Sequence, residues 1–416
     1  MLGTITGRSQ VRRRPADADV VTRLRAGIGT SALDDAAAAG RAAAAAAAAD
    51  LAARGAQGQP ALVIVYTSVR YDLPVLLSGV REVTGETLLV GATTAAHFQN
   101  GDLTPARTGV SVMIMTSGSY RFGVASGEGL RADAFEVGRA VARAARAAVE
   151  SSGPAESHNA LLLLTDGLAG HQQALLNGIH RVAGAAVPVV GGAAGDDRRM
   201  QETFVFCGDR VLTDATVAVW ITSAEPLHVV TGHGWRPVGL PLLVTRVEES
   251  VVHEIAGRPA MDVYEEHLRY GGVMPDVESD GLQPSRRAVH ALAVIEPSGA
   301  QLIRSIYLAP DGLIRSFTPL PHYAAVQVVS GVPDDLLAAS KGVVDEVFAG
   351  REPGVLLAFS CLTRLEVLAE RSHEEPARIQ AAAGTTPTFG FYTLGEFART
   401  TTVAGFHNAT IAAIAL

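Results

Sequence analysis

Cysteine and lysine are nearly absent: the chain holds two cysteines, Cys207 and Cys361, and a single lysine, Lys341. Two cysteines cannot build a disulfide framework, and no CxxC pair offers a metal knuckle. Nor do the histidines show zinc-like spacing, so no metal is expected. The arginine bias is read as codon composition and carries no functional weight. No excess of positive charge exists, because the net charge is −8; an electrostatic footprint for nucleic acid is therefore missing. Long apolar runs are missing too. Arg41 and Asp50 interrupt the alanine-rich run from Ala36 to Ala53, which reads as a helix lying on a core and not as a membrane span. Arg12, Arg13 and Arg14 are followed by no apolar segment of a signal peptide. These absences point to a cytoplasmic protein with no membrane contact.

What is present suits a compact α/β protein. Hydrophobic residues make up 48% and charged residues 18%, enough apolar surface in 416 residues for two domains with their own cores. Residues 1–19 read as a flexible tail. ALVIVYTSV (61–69), TLLVGATT (87–94) and LLLLTDG (161–167) read as buried strands, with helices expected over 132–150 and 171–183. Residues 203–212 and 216–224 read as a pair of antiparallel strands. Strands 289–295, 301–308, 324–330 and 355–360 and a helix over 333–349 follow. Gly271, Gly272, Pro275, Gly281 and Pro284 mark the most loop-like interior stretch. The expected fold class is α/β (mixed α+β): two domains, 20–240 and 241–416, with mixed, largely antiparallel sheets flanked by helices. No repeat with a short fixed period is visible.

Ligands in α/β sheets gather beyond the carboxyl ends of strands. Thr93 and Thr94 lie at one such end, and Gly191, Gly192, Asp196 and Asp197 at another. Glycine N–H groups can converge on a carboxylate there, and the two aspartates can take an ammonium group; the alternative is a tight turn whose aspartates face water. GHGWRPVG (232–239) adds His233 and Arg236, and an arginine beside an aromatic can hold a carboxylate bidentately. The last 60 residues place Cys361, Arg364, Tyr392, Glu396, His407 and Asn408 in short apolar segments, where ionisable groups must find partners or face a pocket. The same residues fit a structural network in which Arg364 pairs with Glu396.

Several of these segments, in this order, resemble the FIST family: VGATTAA (90–96), VVGGAAGDD (189–197), HGWRPVG, HEIAGRPAMDVYEEHL (253–268), FSCLTR, GFYTLGEF and FHNAT. Ala96-His97 and Ile255-Ala256 depart from the family's usual Gly-Glu and Leu-Asp. The resemblance implies a signalling input module. It would bind a small polar metabolite such as an amino acid, without catalysis. Length, not the resemblance, leads to the expectation that the signal passes to a separate protein such as a histidine kinase or cyclic-nucleotide enzyme, since 416 residues leave no room for an output domain. No cofactor is required by that reading. Haem, as in a nitric-oxide sensor, is the alternative, and a hydrolase using Cys361 with His407 as base is the third.

Overall fold

A computed structural model describes residues 23–153, 156–270, 290–309, 311–399 and 405–416. The expected tail over 1–19 and the stretch marked by Gly271, Gly272, Pro275, Gly281 and Pro284 lie outside the described residues. The fold class is mixed α/β, as the sequence implies, with helices flanking mixed sheets.

One pattern of elements is written three times. The first unit runs β1 (Ala26–Ser31), α1 (Ala36–Ala53), β2 (Pro60–Thr67), α2 (Leu73–Thr84), β3 (Leu88–Thr93), a short arm of β4 (Ala96–Gln99) and β5 (Asp102–Thr104), then β6 (Val110–Thr116). The second repeats it with β7 (Tyr120–Glu128), α3 (Leu130–Ser151), β8 (His158–Thr165), α4 (Gln172–Ala183), β9 (Val189–Ala193), the arm β10 (Val205–Cys207) and β11 (Arg210–Leu212), and β12 (Ala215–Ser223). The third opens with β13 (Val229–Gly232) and is interrupted by an insertion. That insertion holds β14 (Trp235–Glu248), β15 (Val251–Ile255), β16 (Arg258–Pro259), α5 (Ala260–Tyr270), β17 (His290–Ile295), β18 (Gln301–Leu308), β19 (Ile314–Ser316) and β20 (Ala325–Gly331). The unit then resumes with α6 (Pro333–Phe348), β21 (Leu356–Cys361), α7 (Leu362–Leu368), α8 (Glu374–Ala383), β22 (Thr388–Thr393), the arm β23 (Glu396–Arg399) and β24 (Phe406–His407), and β25 (Ile411–Ala415).

Each unit makes the same sheet, in the orders β1-β6-β2-β3, β7-β12-β8-β9 and β13-β25-β21-β22. Its last strand lies antiparallel between the first two, and its second and third strands run parallel. Each arm leaves its own unit and extends another sheet: β4 pairs with β22, β10 with β3 and β23 with β9. The three units are thereby locked in a ring of exchanged strands. Inner faces of all three sheets meet in one core that includes Tyr66, Leu164, Val217, Phe359 and Phe391. The helix pairs α1/α2, α3/α4 and α6/α8 cover the outer faces.

The alanine-rich helix follows this geometry. Asp35 caps α1 by accepting from the Ala38 N–H at 2.7 Å, a stabilising N-cap. Its buried stripe is Ala39, Gly40, Ala43, Ala44, Ala47 and Leu51, and these small residues permit close approach. A Cβ on Gly40 would stand 2.2 Å from the carbonyl oxygen of Leu76 on α2. The α3/α4 crossing repeats the device, with Gly138 against the Leu175 carbonyl at 2.2 Å.

The insertion is a small closed barrel. Successive antiparallel pairings β14–β20, β20–β17, β17–β18, β18–β19, β19–β15 and β15–β14 return to the starting strand. Val244, Ile255, Leu292, Ile306, Ile314 and Val328 pack together with Tyr264 of α5 as its core. Residue 240, where the sequence suggests a division, falls inside β14. One sequence expectation is corrected: residues 203–212 and 216–224 do not pair with each other. The first segment is itself the β10–β11 hairpin, while β12 pairs with β7 and β8. The Gly208 turn, at φ 62°, closes the hairpin early.

In each of the three unit sheets a glycine stands where an arm arrives. Gly91, Gly191 and Gly390 face Phe206, Phe397 and Phe98 across the exchanged pairings, and all three phenylalanines are fully buried. A Cβ on these glycines would lie 2.2, 1.9 and 2.1 Å from the carbonyl oxygens of Val65, Leu163 and Ala358. Gly191→Ala is therefore expected to cost about 1–3 kcal/mol by forcing backbone apart. Gly342→Ala on α6, where nothing lies within 4 Å of the new Cβ, should stabilise by up to about 1 kcal/mol. Urea unfolding of the two variants checks the contrast; equal midpoints would mean that the close approach is not a real constraint.

Candidate functional site

The barrel meets the third unit along a seam that is apolar over one part and polar over the rest. The apolar part joins Trp235, Ala291, Ile303 and Val329 of the barrel to Leu336, Leu337, Val367 and Leu368 of α6 and α7. The Trp235 indole N–H donates to the Ala409 carbonyl at 2.8 Å. The polar part is built from β17, β18, the segment after β19, the start of α7 and β24.

Arg304 is its least expected member. It shares a face of β18 with Leu302 and Ile306, both in the barrel core, yet its guanidinium reaches out and donates from one terminal nitrogen to the carbonyls of Phe406 at 3.1 Å and Ile303 at 3.3 Å. The residue is 6% exposed. Among the described residues its Nε–H has no acceptor, and no carboxylate lies within salt-bridge distance. Burial pulls its pKa down to about 10, although the more distant Glu296 opposes this. His290 stands on the adjacent strand β17, two residues from Arg304's partner Leu292, and burial lowers it to about 4. A buried cation held only by neutral carbonyls is costly.

Around it the sequence-predicted residues take definite places. His407 donates from Nε2 to the Ala398 carbonyl at 2.9 Å when neutral; burial, and then the nearby Arg304 charge, lower its pKa to about 4. Asn408 accepts from the Thr318 hydroxyl at 2.8 Å. Cys361 is buried with its thiol 3.6 Å from the Thr363 hydroxyl, which is 3.0 Å from Ser305, the neighbour of Arg304. Burial first, and then the Glu396 charge, push the Cys361 thiol up. Glu396 accepts from the Thr393 hydroxyl, from the Thr410 hydroxyl at 2.9 Å and from the Thr410 N–H at 3.2 Å. Burial nevertheless raises it to about 7. Cys361, His407 and Asn408 thus have separate partners, and no thiol–imidazole hydrogen bond links them among the described residues. A thiol held protonated is a poor nucleophile.

Arg364 is fully buried, but its partner is Glu375 of α8, not Glu396. The terminal nitrogen lies 2.6 Å from Glu375 Oε1, and Nε donates to the same oxygen at 3.0 Å. Further acceptors are Ser340 Oγ at 2.7 Å and the carbonyls of His233 at 2.6 Å and Leu336 at 2.8 Å. Glu375 also accepts from Ser340 and Ser360, and the buried Tyr392 hydroxyl lies against it. Despite burial, the Arg364 charge leads the effects that hold the Glu375 carboxyl below its ordinary value. All three guanidinium nitrogens of Arg364 are engaged, so this group knits α6, α7 and α8 together. His233 adds a bond from the Trp235 N–H to its Nδ1 at 2.9 Å.

The remaining expected residues stand elsewhere. Arg236 is exposed and pairs with Asp335. Gly191 and Gly192 lie inside β9, paired on both sides, so their backbone serves the sheet. Asp196 and Asp197 neither face water nor stand free. Asp196 accepts from the N–H groups of Met200, Gln201 and Glu202 at 2.9, 2.6 and 3.1 Å. Asp197 accepts from the Ser68 hydroxyl at 2.6 Å and from the N–H groups of Val69 and Arg107 at 3.1 and 2.8 Å. Thr93 bonds to the backbone of Phe204, and Thr94 to His97 at 3.1 Å. The structure therefore brings Cys361, Glu396, His407 and Asn408 toward the seam, beside the Arg364 network that includes His233 and Tyr392, and leaves Thr93, Thr94, Gly191, Gly192, Asp196, Asp197 and Arg236 apart. Arg304 and His290 complete the seam without having been singled out. The signal for Arg304 was available in QLIRSIYL, where one arginine interrupts the otherwise apolar face of Leu302, Ile306 and Leu308.

The FIST N domain matches residues 61–258 and the FIST C domain residues 260–399. The chain belongs to the FIST family, whose domains are associated with sensing of small ligands in signal transduction. Among curated relatives, uncharacterized protein Rv0628c of Mycobacterium tuberculosis is 32% identical over 53% of this chain and 57% of its own length. Uncharacterized protein MJ1623 of Methanocaldococcus jannaschii is 24% identical over 51% of this chain and 41% of its own. The chain spans about half the length of the curated relatives it matches. Solved structures of cyanuric acid hydrolase are similar at 10% identity over 94% of this chain and 99% of that chain, with a TM-score of 0.34. The one from A. caulinodans is 13% identical over 50% of this chain and 73% of its own, at 0.27. Likeness at this level bears on neither mechanism nor substrate. Among the described residues no helix is long and apolar enough to cross a membrane, and no group of histidine, cysteine and acidic side chains is arranged to hold a metal.

Two measurements follow from these environments. Glu375→Gln strips the counter-ion from a fully buried arginine and should cost about 3–5 kcal/mol in urea unfolding; a cost below 1 kcal/mol, on the order of a surface pair, would show that the pair is not structural. Glu396 holds its proton more tightly folded than unfolded. Its contribution to stability is complete below pH 4.5 and lost as pH rises through about 7. Glu396→Gln should flatten the fall in stability across that window, and an unchanged slope would remove Glu396 as its source.

Proposed function

We propose that the chain is a non-catalytic sensor of a small polar metabolite bearing a carboxylate, such as an amino acid, with Arg304 as the group that holds it. The observation that supports this reading is a buried guanidinium with an orphaned Nε–H and no counter-ion among the described residues. A guanidinium in such surroundings is matched by a carboxylate accepting two parallel hydrogen bonds. Ser305, His407 and Asn408 supply polar groups nearby, and neutral His407 adds no competing charge.

Binding also suggests how a signal would arise. Arg304 belongs to the barrel, and its present acceptor, the Phe406 carbonyl, belongs to the third unit's arm. A ligand carboxylate that takes the guanidinium releases that carbonyl, so ligand-bound and free states differ in how the barrel is tied to the arm. A partner that reads this contact, such as a histidine kinase or cyclic-nucleotide enzyme, would receive the signal.

The test is a thermal-shift screen of the protein against amino acids and related carboxylates, with Arg304→Met in parallel. Ligand at about 100 times its Kd should add roughly 2.7 kcal/mol to the wild type. The variant should be at least as stable as wild type without ligand, because it removes an unpaired buried charge, and should show no shift with ligand. A shift retained in Arg304→Met, or none in the wild type across the panel, would overturn the assignment.

A further inference from the structure

The threefold construction supplies its own control for a second surface. The helix pairs α1/α2, α3/α4 and α6/α8 do the same work, covering the outer face of one sheet each. On α1/α2 the arginines are neutralised: Arg41 by Glu82, Arg54 by Asp50 and Arg81 by Asp209. Around α6/α8, Lys341 pairs with Asp345, and Arg371 with Asp334 and Glu374, while among the described residues Arg378 of α8 has no carboxylate within salt-bridge distance. The α3/α4 pair differs in having two such arginines lining one cleft. Arg143 and Arg181 have no carboxylate within salt-bridge distance among the described residues, although the chain as a whole is acidic.

These two arginines and Arg139 line a cleft of about 300 Å³ between α3 and α4, with Phe135 and Val182 also in its wall. Arg139 is already balanced by Glu136, at 2.7 Å. The cleft therefore carries an excess of two positive charges beside an apolar surface, at a size where small-ligand sites begin. Packing does not require them, because the equivalent pair α1/α2 covers its sheet with each of its arginines paired.

We propose that this cleft binds a small anion carrying at least two negative groups, phosphate or carboxylate, between Arg143 and Arg181. The site lies on the second unit, away from the barrel, and does not depend on the reading of Arg304.

Isothermal titration calorimetry of the full chain at low ionic strength, where exposed charges are least screened, tests this with pyrophosphate and with citrate. Saturable binding of either, with one site per chain, is expected, and which anion binds tells phosphate from carboxylate recognition. The double variant Arg143→Gln/Arg181→Gln should weaken that binding by about tenfold or more, while Arg41→Gln on the equivalent α1 face should leave it unchanged. Both variants alter exposed side chains, and circular dichroism confirms that they fold. No binding of either anion, equal binding in the double variant, or equal loss in Arg41→Gln would overturn the proposal.

Discussion

The pairing of a glycine with an incoming phenylalanine, made once in each sheet, is the constraint on which this architecture rests. Gly91, Gly191 and Gly390 leave the space that neighbouring carbonyl oxygens occupy, and Phe206, Phe397 and Phe98 are the residues opposite them on the arriving arms. A large aromatic side chain brings its apolar area onto a position that has none of its own, a combination known to offset the weakness of glycine in a strand. Because each arm comes from another unit, no unit completes its sheet alone. Stability is thereby shared around the ring, and the core at its centre draws on all three sheets.

Against that regularity, the barrel is the departure. It enters between β13 and α6, where the first two units pass directly from strand to helix. Trp235 and Gly331 are opposite one another in the β14–β20 pairing, so the insertion begins and ends at one point and leaves the host unit intact. The barrel needs one apolar seam against α6 and α7 to be held in place, and Trp235, Ile303 and Val329 provide it. Beyond that seam, Arg304 ties the barrel to the arm through the Phe406 carbonyl, a neutral acceptor that leaves its charge without a counter-ion among the described residues. Such a residue is easier to understand as a binding group than as a structural one.

Much of the element order was legible because buried strands and amphipathic helices leave distinct periodicities. ALVIVYTSV and LLLLTDG could hardly be anything but buried strands, and the alanine run could only lie on a surface at close range. The threefold pattern was not legible, since exchanged arms carry no periodic signature; a glycine and a phenylalanine from different units meet only in space. Partner choice was hidden for the same reason. Arg364 needed an acid, and Glu396 stood nearer the other motifs, but Glu375 lies on α8, which folds back over β21. For the aspartates after β9 the sequence suggests exposure or a ligand-facing role, because a loop's own N–H groups, converging on Asp196 from three successive residues, cannot be seen in composition.

The repeated units also show where chemistry has diverged. Ser68, Asp166 and Cys361 each close the end of an equivalent strand by donating a backbone N–H to Gly109, Ala215 and Thr410. In the first unit Asp197 meets this strand end through Ser68 and two backbone N–H groups. In the second, Asp166 itself accepts from the N–H groups of Leu168 and Asp214 and from the hydroxyls of Thr203 and Thr213. Each of these carboxylates accepts from backbone N–H groups as well as hydroxyls. The third unit offers Glu396 a single backbone N–H, two threonine hydroxyls and a thiol, so desolvation prevails and the carboxyl holds its proton into the neutral range. That strand end, with its raised carboxyl, is the one beside the barrel and Arg304.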